Sequence, residues 1–299
     1  MRSYWSMIFV LAAIWGASYL FIKLAVEDIP PAAMTDLRLG IAAVLLTAYL
    51  AQRTGAASAL AELRRAWIPC LVLGIVNAAL PMTLVAWGET HIDSSIAGIA
   101  QASVPIFVAI LGLRYLRHDP LRTPQILGLV IGLSGVALIT GVHTSSGIWA
   151  VAGTLAVVLS SLSYATGGIY GQLHVHGTPG PVLAAGSMIF GAIALLPFAI
   201  ADPPTQAPGA TAVAGLLALA LGPTFLGQLL LFRILRLFGS RRLSLVTFLM
   251  PGFAVAYGAV LLDEPVSAAA LGGLALILLG VLLASGQRLF GVRVQEEPA

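Results

Sequence analysis

Asn77, Gln101, Thr224, Gln228 and Thr247 lie in the middle of long apolar runs, together with Trp15, Tyr19 and Tyr164. Amides and hydroxyls recognise the polar end of a small metabolite by hydrogen bonding, while aromatic faces accept its apolar body. A polar group at membrane depth is costly unless it faces protein or water, so these positions are candidates for a substrate-binding site. The alternative is structural: hydroxyls bond back to their own helix, amides bond a neighbouring one, and rings fill space. Ser103, Ser160, Ser161, Ser163, Phe225 and Phe248 share that depth and both readings.

Lys23, Arg38 and Glu89, with Asp36 as an alternative to Glu89, are candidates for charge recognition or coupling. Arg38 falls seven residues past Pro31, roughly 10 Å into an apolar run by helical rise. It could snorkel to the surface, pair with Glu89 or Asp93, or attract an anionic substrate. Asp36, two positions away, points off another face of the same helix and is a poor partner. Lys23, one turn from the end of its run, either snorkels or binds. No acidic residue lies near mid-membrane, so Glu89 or Asp36 is the expected carrier if protons drive the protein; a uniporter or exchanger fits equally well. Pro81, Pro105, Pro223 and Pro251 interrupt four apolar runs and are expected to bend them, each removing a backbone hydrogen bond.

The elements that must position these groups are helices. Apolar stretches fall at 5–25, 31–51, 67–87, 94–114, 121–141, 148–170, 180–201, 210–232, 241–262 and 267–286. Each approaches the roughly 20 residues that span a bilayer core of ~30 Å. The chain is 59% hydrophobic and 9% charged, against about 25% charged for a soluble domain. Ile29-Pro30-Pro31, His118-Asp119-Pro120, Asp202-Pro203-Pro204 and Asp263-Glu264-Pro265 punctuate the runs. These features predict an all-α integral membrane protein of ten transmembrane helices. The first run is too long for a cleaved secretory signal and is read as a permanent helix.

Every basic residue except Lys23 and Arg38 falls on the side that carries both ends, whereas the opposite connections hold Glu27, Asp28, Glu89, Asp93, Asp202, Asp263 and Glu264. The excess of arginine predicts cytoplasmic termini and a plasma (inner) membrane location. The pI near 9.3 is therefore a topology signal and gives no support for nucleic-acid binding.

The two halves resemble each other. At a constant offset Leu116 pairs with Leu261, Asp119 with Glu264, Pro120 with Pro265, Gly128 with Gly273 and Gly135 with Gly280. Five spans per half is an odd number, so the second copy enters the membrane inverted, as in many transporters that alternate access around a midplane site. The repeats are read as residues 1–142 and 147–287, followed by a cytoplasmic tail at 288–299. The glycine stripes Gly128/Gly132/Gly135 and Gly273/Gly280 imply close helix packing, which could include the contacts of a homodimer.

Trp15-Gly16-Ala17-Ser18 with Lys23, then Pro30-Pro31 and Arg38, resembles the start of an EamA domain of the drug/metabolite transporter superfamily. Each half also ends as that domain does, with an intramembrane Pro (Pro105, Pro251), an acidic-Pro turn and a glycine-spaced last helix. The resemblance implies a central cavity and export or exchange of small metabolites. The family's usual Leu-Gly-Glu turn reads Arg117-His118-Asp119 and Leu262-Asp263-Glu264 here, and Gln172 and Ser187 stand where Lys23 and Arg38 would repeat.

No Walker-type loop, HExxH, paired-aspartate or GxSxG motif is present, so neither direct ATP drive nor a cofactor is expected. Cys70 is the single cysteine, and His174 with His176 lacks a third ligand. The expected function is export of small amphipathic metabolites such as amino acids, by alternating access. A membrane-embedded lipid-modifying enzyme or a non-transporting accessory protein is the alternative.

Overall fold

The computed structural model describes residues 2–115, 123–142, 147–238 and 246–284. Leu116, the Arg117-His118-Asp119 turn and the 288–299 tail lie outside the described residues, as does the side chain of Phe248. Helices α1 (Arg2–Val26) and α2 (Pro31–Thr54) are joined through Pro30, whose extended backbone delivers Pro31 to the first helical position. Gly55, at φ 85°, turns α2 into the short α3 (Ala56–Arg65). Sequence reading leaves 52–66 as a polar connection. Its alanines, with Arg64 and Arg65 on the last turn, favour a helix instead.

The chain continues as α4 (Trp67–Glu89), α5 (Ser94–Gln101), α6 (Val104–Tyr115) and α7 (Thr123–Val142). The second half holds α8 (Ile148–His174), α9 (Gly180–Ala201), α10 (Ala210–Phe238), α11 (Val246–Leu261) and α12 (Ala268–Ala284). Among the described residues seven helices are long and apolar enough to cross a membrane, counting α5–α6 as one, and shorter apolar helices lie within α7, α11 and α12. No strand occurs among the described residues.

Exchanging the halves preserves the main packing pairs. Helix α1 packs on α10 and α11, as α8 packs on α4 and the α5–α6 pair; α2 meets α9, and α7 meets α12. A second correspondence was not foreseen. A π-helical segment interrupts α4 at Ile75–Ala79 and its counterpart α10 at Ala220–Leu226. Such segments mark helix bends and are frequent at functional sites. Pro223 lies inside one, and Pro81 stands just after the other, with Leu80 between.

The expectation that four prolines break continuous helices needs adjustment. Pro105 is the second residue of α6, after a turn at Ala102 and Ser103, whereas Pro251 lies inside α11. The two are not alike despite their matched sequence positions.

The solvent rule is inverted on the outer surface, where Ile148 is 79% and Ile200 70% exposed. In a bilayer those faces meet lipid. The glycine stripes are spent inside the chain: Gly135 faces the Gly273 carbonyl, and Gly280 faces the backbone of Gly132 and Gly128. They join α7 to α12, so a homodimer would need another surface.

Candidate functional site

A cavity of about 290 Å³ lies where the two halves meet. Helix α1 supplies Trp15 and Tyr19, α2 Arg38, α4 Asn77, α5 Gln101, α8 Tyr164, α10 Thr224 and Gln228, and α11 Thr247. The eight residues singled out first from the sequence all line this one space, whereas Ser103, Ser160, Ser161, Ser163 and Phe225 do not. Sequence reasoning missed the apolar part of its wall, including Ile22, Met82, Val85, Leu231 and Met250. Nothing in the sequence separates those from residues that face lipid.

The polar groups divide into two sets. Gln101 is committed: its Oε1 accepts the Ser160 hydroxyl at 2.8 Å, and its Nε2 donates to Ser161 Oγ at 3.2 Å. It lines the cavity as a strut between α5 and α8. The Ser163 hydroxyl donates to the Val76 carbonyl in the π segment at 2.6 Å, and Ser103 to Ala100 at 2.7 Å. Trp15 Nε1 donates to the Pro223 carbonyl at 3.2 Å, which fixes the ring across the cavity. Phe225 packs into an apolar cluster and does not line the cavity. By contrast Tyr19, Asn77, Tyr164 and Gln228 make no hydrogen bond among the described residues, although all four face the cavity.

Three candidates stand four residues before a proline: Asn77 before Pro81, Gln101 before Pro105 and Thr247 before Pro251. Each proline withholds the N–H that would ordinarily serve the carbonyl of that residue. The spacing was available in the sequence and points to the same space. In α10 the Leu219 carbonyl, four before Pro223, instead accepts the Thr224 hydroxyl at 2.9 Å.

Arg38 neither snorkels nor pairs with Glu89 or Asp93. Its side chain is buried, and Nε donates to Thr224 Oγ1 at 2.7 Å. Lys23 neither reaches water freely nor lines the cavity. Its Nζ donates to the carbonyls of Glu89 and Ile92, both at 2.8 Å, tying α1 to the end of α4. Glu89 is fully buried, and neither carboxylate oxygen has a hydrogen-bond partner among the described residues.

The face carrying the acidic connections is shut. Glu264, from the second half, accepts the backbone N–H of Ser94 at 2.7 Å and of Ser95 at 2.9 Å, capping the N-terminus of α5. Asp28 accepts the Gly209 N–H at 2.8 Å on the same face. On the arginine-bearing face a larger hollow, about 850 Å³, opens between α2, α9 and α10 beside Arg53, Arg233 and Arg236. Ile14 and Leu229 line it, while their chain neighbours Trp15 and Gln228 line the central cavity.

Glu264→Ala should therefore loosen the closed face. Each charge-assisted bond to a buried N–H group is worth about 1.5–3 kcal/mol, and the variant loses two. A cysteine placed at Ser95 should react several-fold faster with a membrane-impermeant thiol reagent in that variant. An unchanged rate would show that the Glu264 cap does not hold the face shut.

These features define a multi-pass membrane protein with a central, partly polar cavity between two like halves. The sequence model of the EamA-like transporter family matches residues 3–141 and again 151–286, so the chain belongs to that family. It is 24% identical over 287 residues to an uncharacterized transporter of Archaeoglobus fulgidus, covering 95% of this chain and 99% of that one. It is 26% identical over 274 residues to the uncharacterized transporter YoaV of Bacillus subtilis, covering 90% of this chain and 92% of that one. Over 169 residues it is 32% identical to the uncharacterized inner membrane transporter YedA of Escherichia coli, 55% of this chain and 52% of that protein. A solved crystal structure 19% identical in sequence matches with a TM-score of 0.66, covering 95% of this chain and 97% of that one. That likeness concerns the fold alone.

Proposed function

We propose that this transporter carries small amphipathic metabolites, amino acids among them, out of the cell across the inner membrane. The units are residues 1–142 and 147–287, which alternate access to the central cavity, with both termini in the cytoplasm. The observation that carries this reading is a hollow between the halves whose Tyr19, Asn77, Tyr164 and Gln228 groups have no partner in the described chain. Unpartnered polar groups beside apolar walls suit a ligand with one polar and one apolar end. Closure of the acidic face, with a hollow beneath the arginine-bearing face, corresponds to a state loaded from the cytoplasm. Binding and gating are the chemistry assigned here; the protein breaks no covalent bond and needs no resident cofactor.

The test is solute flux in proteoliposomes. Wild-type protein should move at least one small amphipathic solute that also raises the melting temperature of the detergent-purified protein. Asn77→Ala and Gln228→Ala should each raise KM about three- to tenfold, the loss of one hydrogen bond of about 0.5–1.5 kcal/mol. Flux with unchanged KM in both variants would place the binding site elsewhere, and lipid turnover without solute flux would make the protein an enzyme.

A further inference from the structure

The wall of the central cavity carries one cation and no carboxylate. Arg38 is 6% exposed, and the only hydrogen bond it makes among the described residues runs from Nε to Thr224. The Thr224 hydroxyl proton is already given to the Leu219 carbonyl, so its oxygen is fixed as an acceptor and orients the guanidinium. The remaining N–H donors of that planar fork make neither a hydrogen bond nor an ion pair among the described residues. Among the described residues no carboxylate forms an ion pair with Arg38, and Glu89 does not line the cavity.

A buried guanidinium with no ion-pair partner within reach is an expensive arrangement in a closed structure. It becomes favourable when an anion supplies the second half of the pair, and the fork geometry of arginine suits a carboxylate held through two parallel bonds. We infer that the cavity selects small amphipathic carboxylates that carry no ammonium group. The carboxylate docks on Arg38, and the apolar body lies against Trp15, Met82, Leu231 and Met250. An amino acid presents the same carboxylate but brings an ammonium group into a wall that offers no acidic partner. It binds more weakly than the simple acid of the same shape. This inference rests on the cavity being the transport site and sharpens the metabolite class assigned to it.

The test compares 3-phenylpropionate, phenylalanine and phenethylamine, which share a ring and chain but differ in charge. Binding to purified full-length protein is read by calorimetry and by melting temperature, and transport in proteoliposomes. The carboxylate should bind about ten- to a hundredfold more tightly than the amine, with phenylalanine between them. Arg38→Gln should abolish that preference. Thr224→Val, which keeps the charge but removes the acceptor that orients it, should weaken carboxylate binding several-fold and covers the case in which Arg38→Gln does not fold. Equal or tighter binding of the amine, carboxylate affinity unchanged in both variants, or no binding of any probe at millimolar concentration would overturn the anion assignment. Arg38-dependent carboxylate binding without flux would leave the assignment standing and overturn the transport reading. Flux of phenylalanine or phenethylamine without carboxylate binding would do the reverse.

Discussion

Glu89→Gln should leave the protein folded and able to exchange substrate, yet unable to use a proton gradient. With Glu89 carrying one proton per solute, a pH difference of one unit across a proteoliposome membrane is worth about 1.4 kcal/mol, enough for the wild type to hold about a tenfold solute gradient. In the variant that gradient should collapse to equality, while counterflow between equal pools continues. The reason is the position of the group. The Glu89 side chain is 0% exposed, and both its oxygens lack hydrogen-bond partners among the described residues. Lys23, whose ammonium is held by the Glu89 and Ile92 carbonyls, and Tyr19 face it from α1, Arg38 from α2, and Glu264 from the turn after α11. A carboxyl shielded while the acidic face is closed takes up a proton from that side when the Glu264 cap releases, and gives it up on the other side once the protein has turned. Glutamine keeps the shape and removes the proton. Continued proton-driven accumulation by the variant would remove Glu89 from the coupling step.

Gly280→Leu should yield little or no folded protein. A side chain at Gly280 meets the α7 backbone: a Cβ would stand 2.5 Å from Gly132 Cα and 2.6 Å from the Gly128 carbonyl oxygen. Backbone cannot change rotamer to make room, so α7 and α12 must separate along the stripe that joins them. Overpacking that side chains can absorb costs about 1–3 kcal/mol, and here the expected loss is about 3 kcal/mol or more. Gly280→Ala should cost less but still lower the melting temperature in detergent. Gly252→Ala is the control, because a Cβ there meets nothing within 4 Å. Equal melting temperatures for Gly280→Ala and Gly252→Ala would show that the two helices are not held at that contact.

Hydropathy determined the spans of this protein, because a bilayer core demands a minimum length of apolar helix and tolerates few charges. Chain punctuation placed the ends: α9 begins at Gly180 and ends at Ala201, as Pro179, Pro181 and the Asp202-Pro203-Pro204 break require. The duplicated proline and glycine spacing announced two like halves. Depth along each span brought Trp15, Tyr19, Asn77, Gln101, Tyr164, Thr224, Gln228 and Thr247 to attention together. Depth is one coordinate; rotation about the helix axis is another, and only packing between helices sets it. That is why sequence could not tell Gln101, tied to Ser160 and Ser161, from Gln228, which faces the cavity unpartnered. It is also why Arg38 had three readings until its contact with Thr224, which comes from the other half of the chain. The two π segments were hidden for the same reason: the register of a helix shifts by one residue where its neighbours reward it, and those neighbours are distant in the sequence.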